Sequence, residues 1–550
     1  MAALCAVPVL FACSTEVMVE KEEKSLQTRE YSLKIHLAGH PFTRTEEMQP
    51  VDEEGIEKLT AVFLNKSAGE PSVERIVEAR RITGEAEVYY VLGYTTEAGN
   101  FPDYLTAIAN YDGDPGSDIL NVKTDRLLKE TADGVVMTMT SARYFNEIKD
   151  DIYFSTLNAE NFINSTPVDV FLERTAAKVT LTKKQTFKNE TPVFYHNGRK
   201  VSPQLHLTGW AVNATDKESY LIKHIQSTSD YNSKFVALEA ELTEPTVADE
   251  WEWNTSRQDV KENIYPTLHW SHSAGYEINT FPSTGKERNE KDEIVMLTFN
   301  DIVNPFMESS SDTPVYVNET TRKSDVFDTP NALPSIVIAG YYTLEGESDA
   351  TTFYRRGEEL LTEEEYWVRM TALQDALYLE EGRLSVEQFK EIMTDCRPVD
   401  AIMENETEIP FNHICPQLKN DIVPSLPLFD KDGEVITLNE ETKMEINRRL
   451  FETCGSWEKF IDGCCFFSIP IKHERPSQGT GFYGIVRNHH YDITLNSISG
   501  LGSGVAEKDK TVGDAGSSPI IPPYEVELIF NLLPWTEMDG GNVDLVEKNP

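Results

Sequence analysis

The chain has 550 residues, 39% of them hydrophobic, with 22 Tyr, 25 Phe and 7 Trp; this is more than one ordinary core holds and excludes disorder throughout. Its 92 acidic residues outweigh 50 basic ones, giving a formal charge of −42. A surface of that sign repels phosphate backbones and anionic bilayers, so nucleic acid is excluded as a partner.

The N-terminal "MAALCAVPVLFACS" is an apolar run too short to span a bilayer, and its length fits the hydrophobic region of a signal peptide. No Lys or Arg precedes it. Leu10, Phe11, Ala12 and Cys13 resemble the lipobox of bacterial lipoproteins, in which the cysteine takes a diacylglycerol thioether after cleavage. The expectation is a signal peptide over 1–13 with lipid on Cys13. The other cysteines besides Cys5 are Cys396, Cys415, Cys454, Cys464 and Cys465, and export permits disulfides among them. Five is odd, so at least one stays free or pairs elsewhere. Cys464 and Cys465 lie in an expected strand, where neighbours point to opposite faces and cannot bridge each other.

The next element, "YSLKIHLAG", alternates strictly: Tyr31, Leu33, Ile35 and Leu37 share one face, and Ser32, Lys34 and His36 the other. Further strands are expected over "IEKLTAVFL" (56–64), "EAEVYYVLGY" (85–94), "GVVMTMT" (134–140) and "VDVFLERTAAKVTLT" (168–182), with 101–130 helical or looped. "KKQTFKNETP" after residue 182 reads as a connection, which closes a first domain at 45–185. Alternation resumes in "LHLTGWAVNATDKESYLIKHI", and "EIVMLTFN", "SIVIAGYYTL", "GCCFFSIPI", "YDITLNSI" and "VELIFNLLPW" follow at wide spacing, giving a second domain over 186–535. A helical insertion at about 360–460 interrupts it. Two capping boxes announce helices there: Thr362 with Glu365, and Ser385 with Gln388. Scattered strands with long excursions point to β-sandwiches rather than a βαβ fold.

No enzyme signature emerges. His489 and His490 are strand neighbours that face opposite ways and cannot share a metal. "GLGSG" (500–504) lacks the full dinucleotide fingerprint and opens no helix, no GxSxG elbow is present, and no cysteine or histidine spacing fits zinc. No cofactor or metal is expected. "DKDGEV" (430–435) has Val435 where a calcium loop needs glycine, so a hairpin turn at Asp432-Gly433 is simpler.

"GFYGIVRNHHYDITLNSISGLGSG" (481–504), preceded by "IDGCCFFSIPIKH" and followed by "VELIFNLLPW", resembles the C-terminal block of type V fimbrial major subunits of Gram-negative anaerobes, in their minor-fimbrium (Mfa-type) branch. "LTGWAVNATDKESYL", "SIVIAGYY", "TFYRRGEELLTEEEY" and "FLERTAAKVTL" extend the resemblance over most of the chain from about residue 30. It implies two transthyretin-like β-sandwich domains in a mainly β chain, and polymerisation by protease-triggered donor-strand exchange. The precursor would be a lipoprotein at the outer membrane, later part of a cell-surface fimbrium that supports adhesion and biofilm formation.

In that scheme an Arg-specific surface protease cuts Arg44–Thr45 and releases a propeptide, 14–44, that carries the Tyr31–Leu37 strand. Arg29–Glu30 competes as a cleavage bond but lies before the strand and would not release it. A neighbouring copy then fills the vacancy, building a linear homopolymer with fimbrial anchor and tip subunits and a host or bacterial surface ligand. Two donors are available. The tail 536–550 offers Met538, Val543, Leu545 and Val546; the run before it offers Val526, Leu528, Phe530 and Leu532. The tail is preferred, because the resemblance makes the run a core strand. The alternative for Tyr31–Leu37 is a permanent edge strand. Two rival functions are a tip or accessory adhesin of the same fimbria, and a surface glycan-binding lipoprotein or glycosidase, for which "DEWEWN" (249–254) and "TLHWSH" (267–272) supply tryptophans.

Overall fold

The computed structural model describes residues 28–37, 51–53, 55–67, 71–82, 89–97, 100–132, 134–141, 145–146, 151–152, 155–170, 172–224, 272–278, 294–307, 314–323, 333–344, 349–374, 384–398, 409, 412–420, 434–435, 437–473, 483–512, 524–534 and 544–545. The chain is mainly β. Among the described residues no helix is long and apolar enough to cross a membrane.

The first half is built from β1 (Thr28–Leu37), β2 (Leu59–Asn65), β3 (Ser72–Arg81), β4 (Tyr89–Glu97), β5 (Tyr104–Ala109), β6 (Met139–Ser141), β7 (Val168–Val170) and β8 (Leu172–Arg174). They join in the order β7-β1-β4-β3-β2-β5-β6-β8. Only Arg80 and Arg81 of β3 reach β4, so the assembly folds over at that point. Side chains of β1, β4 and β7 on one side and of β2, β5 and β6 on the other then share one core. A short helix, α1 (Ala159–Ile163), adds Phe162 to it, started by a capping box between Asn158 and Asn161.

Segment 101–130 departs from the helix or loop expected of it. β5 lies within it, between β2 and β6. Its "YLTAIA" is buried on both faces, so no alternation marks it as a strand. The expected strand 168–182 is divided into β7, β8 and the start of β9 (Ala176–Glu190). β8 closes the first sheet, whereas β9 pairs into another, so the chain changes sheets at Thr175, ahead of the junction read near residue 185.

The second half adds β10 (Gln204–Asn213), β11 (Val315–Asn318), β12 (Ser335–Thr343), β13 (Cys464–Pro470), β14 (His489–Gly500), β15 (Tyr524–Pro534) and β16 (Asp544–Leu545). One sheet runs β11-β9-β14-β15-β16, with β9 and β14 parallel; another runs β10-β12-β13 and ends on Ser503–Gly504. Ala177, Val179 and Leu181 of β9 and Tyr491, Ile493 and Leu495 of β14 meet Trp210, Ile336, Ile338 and Phe467 of the other sheet in a single core. That is sandwich packing. Gly463, before β13, has φ 70°, and a Cβ there would lie 2.3 Å from the Tyr342 carbonyl oxygen, so glycine is required.

The helical insertion packs on a seven-strand sheet that includes Phe353–Arg356, Trp457–Phe460 and His413–Leu418. Both expected capping boxes form: Thr362 starts α2 (Glu363–Ala372) and Ser385 starts α3 (Val386–Ile392). A third helix, α4 (Glu440–Cys454), starts on Asn439 with Thr442 as its reciprocal partner. Tyr366, Trp367, Phe389, Ile446, Leu450 and Trp457 form its separate core.

Candidate functional site

β1 is held on both sides. It pairs antiparallel with β4 along Thr28–His36 and parallel with β7 along Ile35–Leu37. It is therefore paired on one side along most of its length and on both sides only near its C-terminal end.

The alternation of its sequence sets what each face meets. Leu33 and Ile35 are fully buried and Leu37 nearly so. In register, Tyr31 lies opposite Tyr94, Leu33 opposite Leu92 and Ile35 between Tyr90 and Val168, while Leu37 meets Val170. Tyr31 closes the row edge-on to Phe101 and Phe162, with ring centroids 5.1 Å and 6.4 Å away. Ser165, at the end of α1, donates its hydroxyl to the Ser32 carbonyl at 3.0 Å. Glu30 and Ser32 face outward and are exposed. Burying each of the three aliphatic side chains is worth about 1.5–3 kcal/mol relative to exposure.

Taking β1 away would leave a slot with two walls. β4 would offer its ladder groups along one side and β7 only beside the positions of Ile35–Leu37, and the floor would be the apolar pockets spaced two residues apart. An extended segment with matching alternation satisfies both demands, which is how β-augmentation recognises a strand.

The C-terminal candidates are placed differently from one another. β15 is paired along its length with β14, from Tyr524 opposite Gly500 to Pro534 opposite His489. Val526 and Leu528 lie in the main core of the second half. Phe530 and Leu532 are also in β15, opposite Ile493 and Tyr491. In the tail, Leu545 pairs with Phe530 and Asp544 with Asn531, so β16 holds two residues of an 11-residue strand. Cys13, Arg44, Thr45, Met538, Val543 and Val546 lie outside the described residues.

The double histidine is structural in its contacts. His489 is buried, with its Nδ1 2.8 Å from the Arg487 carbonyl oxygen, and His490 Nε2 lies 3.0 Å from Thr180 Oγ1 across the sheet. Burial holds both imidazoles down to about 4. Among the described residues no group of three or more His, Cys, Asp or Glu side chains is arranged to hold a metal ion. Cys464 and Cys465 fall in different cores, as their strand positions require. Cys396 and Cys415 are cross-strand neighbours, and the five described cysteines are all free thiols. Burial pushes the Cys396 and Cys454 thiols up to about 11, which keeps them from acting as thiolate nucleophiles near neutral pH.

Two features of the slot escaped sequence reasoning. The parallel pairing of β1 with β7 joins segments more than 130 positions apart and has no local signature. Phe101 and Phe162, which cap Tyr31, belong to a loop and a five-residue helix without a clear period.

Residues 458–537 match the family described as "Major fimbrial subunit protein type IV, Fimbrillin, C-terminal". The matched block begins in the Trp457–Phe460 strand and includes β13, β14 and β15. The match is confined to this C-terminal block, the part of the chain on which the resemblance to fimbrial subunits was first read. Two of the solved structures similar to it are fimbrial proteins. One is a fimbrilin (FimA) from Porphyromonas gingivalis W83, 12% identical over 92% of this chain and 97% of that chain, with a TM-score of 0.32. The other is a fimbrial assembly protein from Parabacteroides distasonis, 14% identical over 58% of this chain and 100% of that chain, with a TM-score of 0.22. Scores this low do not fix the fold of this chain. No curated protein matches it.

Proposed function

We propose that this chain is the structural subunit of a cell-surface fimbria, of the minor-fimbrium branch, which polymerises with copies of itself by protease-triggered donor-strand exchange. The precursor is exported, lipidated at Cys13 and carried to the outer membrane. An Arg-specific protease cuts Arg44–Thr45, the propeptide leaves with β1, and the tail of a neighbouring copy enters the slot between β4 and β7. The two sandwich halves correspond to transthyretin-like domains, and anchor and tip subunits bound a shaft that serves adhesion and biofilm formation.

The observation that carries this reading is β1 itself. Its apolar face completes a core, yet its pairing partners come from elsewhere in the chain, so after one cut behind it only non-covalent contacts would hold it. The fimbrillin match supports the assignment.

Of the two donors, the tail is favoured because Val526 and Leu528 already fill the subunit's own core and their removal would open it. Among the described tail residues, Asp544 and Leu545 hold two ladder positions on β15. Deleting 536–550 tests this. The deleted precursor should still be cut at Arg44 but form no filaments by electron microscopy, whereas the full-length precursor forms them after the same treatment. Filaments from the deleted protein would overturn the tail as donor.

A further inference from the structure

The two halves meet across a group of buried charges. Glu173, on β8 of the first sheet, and Lys223 are both fully inaccessible along their side chains, with Nζ 3.4 Å from Oε2. Glu319, which follows β11, and Arg487, which precedes β14, form a second buried pair at 3.0 Å. Asp216 and Arg322 form a third at 2.7 Å, also with fully inaccessible side chains.

Lys223 ends a strap that touches both halves. Ser219 and Tyr220 pair with Thr124 and Lys123 of the first half. Leu221 and Ile222 pack with Val62, Leu64 and Ile108 of β2 and β5. Arg487, from the second half, donates through Nη2 to the Tyr220 carbonyl at 2.7 Å and through Nη1 to that of Leu221 at 3.4 Å. Beside it, Asn488 accepts from the Arg174 backbone N–H of β8 at 3.2 Å, and Glu53 accepts from Lys178 of β9 and Tyr316 of β11, each at 2.7 Å.

We propose that this charge group, through Glu173 at the junction, is an ionic lock that fixes the two halves in one orientation, so that the subunit unfolds as a single body. Glu173 of the first half is compensated by Lys223 and Arg487 only when both halves are docked as seen here; the Glu319–Arg487 and Asp216–Arg322 pairs lie within the second half. Burial pushes the Glu173 carboxyl up and the Lys223 ammonium down, and each charge opposes that shift in its partner. A slide or hinge between the halves would part Glu173 of the first half from Arg487 of the second and disturb its pair with Lys223 of the strap, in an apolar setting. That penalty selects one geometry, whatever the net stability of the pairs. The lock is independent of the polymerisation reading, because it concerns the uncut monomer.

Scanning calorimetry of the full-length precursor tests it. The wild type should unfold in one transition. Glu173→Gln keeps the shape but leaves Lys223 without its paired counter-charge at the junction, and should split the trace into two transitions, one per half. Ile493→Ala, within the core of the second half, should lower the midpoint without splitting it. If Glu173→Gln does not fold, the paired change Glu173→Leu with Lys223→Met removes both charges and should also give two transitions. A single transition in the folded variant, or two transitions in the wild type, overturns the lock.

Discussion

Replacing Leu33 and Ile35 together with alanine is expected to lower the stability of the uncut precursor by roughly 5 kcal/mol, from lost transfer energy and the cavity left behind. Both side chains are fully buried and face one core, and they lie two residues apart on the same face, so their costs need not add. Under the proposed maturation the same change should leave the assembled, cleaved subunit untouched, because β1 is no longer part of it. Urea titrations of precursor and of filaments made from each protein read both effects. Equal destabilisation before and after cleavage would mean that β1 stays in the mature fold.

The second large effect concerns acid. His489 and His490 are neutral in the fold, with burial holding each down to about 4. In the unfolded chain they titrate near the ordinary value of about 6.5. The unfolded state therefore binds more protons between these values, and stability must fall as pH drops from about 6.5 to 4. Each histidine accounts for on the order of 3 kcal/mol over that window, and neither adds pH dependence above it. Denaturant midpoints at a series of pH values should fall more steeply for the wild type than for a His489→Gln, His490→Gln variant. Parallel curves would show that the two rings do not hold these shifted values.

How much of this was legible in the sequence depended on whether an element carries a local period. β1 was readable because one of its faces is buried and the other exposed, which writes strict alternation. The starts of α2 and α3 were readable because their caps are short-range side-chain bonds, Thr362 with Glu365 and Ser385 with Gln388. α4 begins on an Asn–Thr version of the same device, outside the Ser/Thr–Glu/Gln pattern sought, and went unread. β5 is buried on both faces and β3 is exposed along most of its length, so neither writes a clean period of two.

The slot and the lock were beyond local reading altogether. Nothing near Val168 shows that it will lie beside Ile35. Glu173, Glu319, Lys223 and Arg487 look like any of the many charged residues until the fold removes them from water. What the sequence did supply was the order of its C-terminal segments, and the fimbrillin match rests on that same block.

The central claim is that β1 is a removable strand. Treating the purified precursor with an Arg-specific protease, reading the new N-terminus and looking for filaments and SDS-resistant ladders tests it most directly. The account predicts a mature chain that starts at Thr45, with β1 lost and filaments formed. A precursor that resists cleavage at Arg44, or a cut chain that keeps β1 bound and stays monomeric, would contradict it.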